Sequence, residues 1–133
     1  MTPSWNNIEL RKPRSVKMES HAMPAFVHRG RRYNNPAELT LDVLGGKWKM
    51  PILWRLQDRV WRYGELKRSL GRVTHKMLAQ QLRELERDGL LTRTVHASVP
   101  PRVEYALTEV GRGAIGVIDA LRQWGIAFRD AGR

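Results

Sequence analysis

The chain has no cysteine among its 133 residues. That absence excludes disulfides, thiolate catalysis, cysteine-based redox sensing and most structural zinc sites, and it fits a cytoplasmic protein. Aromatic residues, 8% of the chain, form no stacking platform of the kind that holds unstacked bases. No apolar run approaches the roughly 20 residues of a membrane span, and the N-terminus lacks the apolar stretch of a secretory signal. Its arginines faintly suggest an organelle transit segment, but a solvated tail is the preferred reading. No metalloprotease H-E-x-x-H is present, and Lys47 follows Gly45-Gly46 without the Ser or Thr of a phosphate loop. The four histidines lack ligand spacing. An enzyme is not expected, nor a cofactor.

What is present in excess is positive charge. Lys and Arg number 24 against 13 Asp and Glu, a net charge of +11 that attracts polyanions, nucleic acid first among them. Residues 1–33 hold seven of the basic and two of the acidic side chains, with Pro3, Pro13, Pro24 and Gly30 scattered among them. This segment reads as a basic disordered extension, and Met18 or Met23 within it is an alternative translation start. Residues 34–130 read as one folded domain, mainly α with a small β-hairpin (α+β).

Asn35, Pro36 and Glu38 form a helix start, and Gly45-Gly46 ends that helix. Trp48, Ile52, Leu53 and Leu56 give a second helix over 47–57, in which Pro51 either makes a kink or marks the true first turn. Trp61 to Tyr63 is short and extended. A third helix covers 64–70 and stops at Gly71; Thr74 caps a fourth that runs to Gly89. Leu91 to His96 and Arg102 to Leu107 then read as strands around a turn at 97–101. Helix, glycine turn, helix and hairpin in that order make a winged helix-turn-helix. The last helix, 109–128, has a broad apolar band of Ala114, Val117, Ile118, Leu121, Trp124 and Phe128, so it packs either across a homodimer axis or within one core.

On the fourth helix Leu78, Leu82 and Leu85 share one side, leaving Lys76, Ala79, Gln80, Arg83 and Arg87 opposite. Arginine or lysine can bridge guanine O6 and N7, glutamine adenine N6 and N7, and alanine permits close approach to a thymine methyl. Thr74, His75 and Lys76 sit at the positive helix end, where a phosphate binds, and Lys47 is a phosphate contact on the same logic. His75 and Lys47 are alternatively plain surface residues. Arg93 and Arg102 flank the wing tip and can reach phosphates or a minor groove, although Glu104 offers Arg102 an internal partner. Gly111-Arg112-Gly113-Ala114-Ile115-Gly116 matches a dinucleotide fingerprint, but too little chain follows for the second strand it requires, so the glycines are assigned to the junction between wing and helix.

The segments Leu44-Gly45-Gly46-Lys47-Trp48, Gly64-Glu65-Leu66, Lys76-Met77-Leu78, Leu82-Arg83-Glu84-Leu85-Glu86, Asp88-Gly89-Leu90 and Val99-Pro100-Pro101-Arg102-Val103-Glu104-Tyr105 resemble the HxlR-type family of bacterial winged-helix regulators, relatives of the MarR-like group. The likeness covers about residues 35–128. It implies a cytoplasmic homodimer, joined through its first and last helices, that binds a palindromic operator and regulates nearby genes. Many members carry a sensing cysteine just before the first helix; here that place holds Asn34-Asn35-Pro36. A small-molecule effector is a further possible partner, in a pocket lined by Trp48, Trp54 or Trp124 if these are not simply core. The competing readings are a basic RNA-associated protein and a winged-helix protein-interaction module.

Overall fold

The computed structural model describes residues 24–132. The first turn is made by Arg29 and Gly30, both with positive φ (50° and 78°), the backbone that lets two strands fold back tightly. It joins β1 (Phe26–His28) to β2 (Arg31–Tyr33). The hairpin is fastened at three points. Tyr33, 7% exposed, stacks on Phe26 and donates its hydroxyl to Asp42 Oδ2 at 2.7 Å. Arg31 pairs with the same carboxylate at 2.7 Å, and Arg29 reaches Asp88 Oδ1 at 2.8 Å. The hydrogen bond to Asp42, together with burial, pushes the Tyr33 phenol above its ordinary value. Disorder through residue 33 is therefore corrected: order begins at the hairpin, ahead of the boundary expected at residue 34. The rest of that extension, residues 1–23, lies outside the described residues.

Helix α1 (Pro36–Leu44) begins as its capping residues predict, with the Asn35 side chain accepting from Glu38 N at 3.0 Å. Glu38 turns back to Asn34, whose backbone and side-chain N–H groups hold its acid below the ordinary carboxylate range. Helix α2 (Lys49–Leu56) starts two residues later than the periodicity suggests. Pro51 then falls in the first turn, where its missing N–H has no intrahelical partner to lose. The short β3 (Trp61–Arg62) leads directly into α3 (Tyr63–Leu70), whose Glu65 accepts from Arg62 N at 2.8 Å. Gly71, at φ 77°, ends it.

Thr74 accepts from Met77 N at 3.1 Å and opens α4 (His75–Arg87). β4 (Leu91–His96) and β5 (Arg102–Leu107) form the wing, and β3 adds to the far side of β5, giving an antiparallel sheet in the order β3, β5, β4. Trp61 pairs with Tyr105 and Leu91 with Leu107. The core gathers Ile52 and Leu53 of α2, Leu66 of α3, Leu78 and Leu85 of α4 and Leu91 of β4. One charged side chain among the described residues is buried with them: Lys49, 6% exposed, its Nζ 3.6 Å from Glu84 Oε2.

The last helix, α5 (Glu109–Asp130), is capped by Thr108 and lies against α2 and β5. A Cβ on Gly111 would collide with the Leu90 carbonyl oxygen and with Leu107, whereas Gly113 and Gly116 face open space. The glycine fingerprint is thus a packing requirement at one position. It is not a cradle for phosphate.

Candidate nucleic-acid interface

Leu78, Leu82 and Leu85 are at most 2% exposed, which fixes the roll of α4 about its axis. Lys76, Gln80 and Arg83 are consequently exposed on the outer face, with Ala79 half-buried at its edge. This is the division that the leucine spacing predicts. Around the N-terminus of α4, Thr74, His75 and Lys76 are all exposed.

His75 is not an isolated surface ring. The Tyr63 hydroxyl lies 3.0 Å from its Nδ1, and the two rings stack with centroids 5.9 Å apart. Tyr63 opens α3, so the two helices of the motif meet through this pair at the end where a phosphate would arrive. The sequence reading put Tyr63 in the extended stretch before this helix and did not single it out; the structure makes it the first helical residue, which turns its ring toward the Thr74 end of α4.

Between α4 and the sheet runs a cleft of about 510 Å³, lined among others by Tyr63, Ala79, Arg83, Glu86, Arg93 and Tyr105. Burial pushes the Tyr105 phenol up, and the Arg93 guanidinium beside it works against that rise. Arg93 is therefore brought to the same cleft as Arg83. Glu86 puts a carboxylate among these cations and was not anticipated.

Three predicted residues stand apart from this cluster. Arg102 has Nε 2.8 Å from Glu104 Oε1, an ion pair whose N–H points off the contact line, and His96 approaches the same carboxylate at 3.3 Å. Arg87 lies at the far end of α4, 3.4 Å from the Asp88 carboxylate that also receives Arg29. Lys47 lines a different groove, between α2 and α5, with its ammonium 5.0 Å above the Trp48 ring. No group of three His, Cys, Asp or Glu among the described residues is placed to hold a metal.

Residues 43–133 match the family described as HxlR-like helix-turn-helix. The chain belongs to that family. As an HxlR-like protein it is a transcriptional regulator of the helix-turn-helix type. The HTH-type regulator YtcD of Bacillus subtilis is 52% identical over 95 residues, 71% of this chain and 75% of the relative. The crystal structure of a YtcD regulator superposes with a TM-score of 0.67 at 50% identity, covering 71% of this chain and 96% of that one. A redox regulator, HypR in its reduced form, gives 0.69 at 44% identity, covering 73% and 96%. This HxlR-like chain has no cysteine with which to run thiol chemistry. Hairpin β1–β2 precedes the matched residues.

Proposed function

We propose that this regulator binds a palindromic operator as a homodimer, each α4 entering the major groove at one half-site and each wing lying along the flanking backbone. The observation that carries the reading is the outer face of α4. Gln80 and Arg83 are exposed on it, Ala79 lies at its edge, and the buried leucines opposite prevent the helix from rolling away. Glutamine and arginine are the side chains that make two hydrogen bonds to one purine edge. Thr74, His75 and Lys76 meet phosphate at the start of the helix, with Tyr63 orienting the His75 ring. Arg93 follows from the wing. Arg87 and Arg102, engaged by Asp88 and Glu104, serve the fold before they serve DNA.

The dimer rests on α5. Val117 and Phe128 are 41% and 42% exposed, and an apolar stripe of this kind on an exposed helix ordinarily meets a partner. Two α4 helices related by a two-fold axis reach half-sites about 34–36 Å apart. Selection of bound fragments from random duplex DNA tests groove entry and symmetry together. An inverted repeat with half-site centres one helical turn apart is expected. Recovery of no enriched sequence, or of a single asymmetric site, would overturn the reading.

A further inference from the structure

The groove between α2 and α5 lies away from the reading surface, and the core residue Ile118 forms part of its base. It measures about 520 Å³, within the usual range for a small-molecule site, and its floor is apolar: Met50, Pro51, Trp54, Ile118 and Leu121. Its rim is cationic. Lys47 and Arg122 stand on opposite walls, and none of the described residues lining it is acidic. Arg55 also lines it, but its guanidinium is engaged by Ser69 Oγ at 2.7 Å and by the Pro51 carbonyl at 2.9 Å. The other two cations are less committed. Lys47 makes no ion pair among the described residues and lies over Trp48, while Arg122 is 3.6 Å from Asp119 Oδ1 and 5.8 Å from the centre of the Trp54 ring.

An apolar trough with two exposed cations at its edges selects for one class of molecule. A neutral apolar compound would leave the cations with nothing to gain, and an inorganic anion would leave the floor wet. We infer that this groove binds a small amphipathic anion, an aromatic or similarly compact apolar body on the Trp54 floor with one carboxylate or sulfonate between Lys47 and Arg122. Lys47 is thereby moved from DNA phosphate, where its place before a helix had put it, to a ligand site. The position of the site suits control of reading: α2 is fastened to α4 by Lys49 and Glu84, and to α3 by Arg55 and Ser69. Binding itself does not depend on the proposed operator reading, so the two can fail separately.

The probe is anilinonaphthalenesulfonate, an aromatic monoanion that fluoresces when its rings leave water, titrated into the full chain at several protein concentrations. Saturable binding is expected. In the doubly substituted K47E/R122E protein the dissociation constant should rise about tenfold or more, since charge-assisted contacts are lost and reversed. Lys76→Ala should leave it unchanged. N-phenylnaphthylamine, the same ring system without the sulfonate, should bind about tenfold more weakly than the parent dye. Both rim residues are exposed, so the variant is expected to melt like the parent, which circular dichroism checks. Equal dye affinity in the variant overturns the proposal, as does equal affinity for the uncharged ring system. Binding that disappears as protein concentration rises also overturns it, and assigns the groove to a second copy of the chain.

Discussion

Removing the Arg83 guanidinium while leaving Lys76 in place separates the two tasks proposed for α4. Arg83→Ala should cost about 1–3 kcal/mol at one base pair and leave binding to random DNA nearly intact. Lys76→Ala should weaken every sequence alike and lower the salt slope by about 1. Fluorescence anisotropy on selected and scrambled duplexes at several salt concentrations distinguishes them; equal losses on both duplexes for Arg83→Ala would remove its reading role. Lys49 presents a different asymmetry. Glu84→Ala leaves a buried ammonium without its carboxylate and should destabilise by about 2 kcal/mol, discounted because Glu84 is partly exposed, whereas Lys49→Met should be neutral or stabilising. Urea melts measure both. The burial of Lys49 was encoded in its spacing, three, four and seven residues before Ile52, Leu53 and Leu56, but its residue type argued for the surface. The outer face of α4 was legible for the opposite reason, since residue type and spacing agree at Lys76, Leu78, Gln80, Leu82 and Arg83.

Helices and strands that depend on local signals were read with little error. Asn35, Gly71, Thr74 and Gly89 punctuate the chain where the elements change, and the wing strands keep the bounds their alternation gives. Hairpin β1–β2 escaped because each strand is three residues long and only Tyr33 is buried; its fastenings are Asp42, in the next helix, and Asp88, 59 residues beyond Arg29. The pairing of β3 with β5 is equally non-local. The glycines of α5 offer a sharp test of local against tertiary demands. Gly111→Ala should lower stability by about 2 kcal/mol or more, because the new methyl meets backbone that cannot yield. Gly113→Ala and Gly116→Ala, in open helical positions, should each raise stability by about 0.5–1 kcal/mol in thermal melts. At the helix starts, Glu38 and Glu65 are both held below the ordinary carboxylate range by backbone N–H groups. A depressed folded value means that the stability they add is present above that range and is lost as pH falls through it. E38Q and E65Q should therefore flatten the acid side of a plot of urea midpoint against pH.

For the whole molecule, the net charge of +11 supplies attraction to DNA of any sequence, while in the proposed dimer the arrangement of two copies would supply the choice among sequences. Val117→Asp with Phe128→Glu should turn a sedimenting dimer into a monomer and abolish cooperative filling of two half-sites. A parent chain that sediments as a monomer at micromolar concentration would remove the dimer. Family membership and the winged plan were legible in short motifs spread over 35–128, whereas the destination of Lys47 was not, because it depends on where α5 returns across α2. Thr108 bears on how such a molecule can diversify. Its hydroxyl donates to the Gly89 carbonyl at 2.6 Å and accepts from Gly111 N at 3.0 Å, and its N–H reaches the Leu90 carbonyl at 3.1 Å. The two feet of the wing are thereby pinned to one another and to α5. A loop pinned at its base can gain or lose residues at its tip for little more than closure entropy, roughly 0.6 kcal/mol per doubling of length. With the base held in this way, charge at Ala97 and Ser98, ahead of the Val99–Tyr105 motif, can vary between relatives and retune the proposed contact with flanking DNA while α4 keeps its pose.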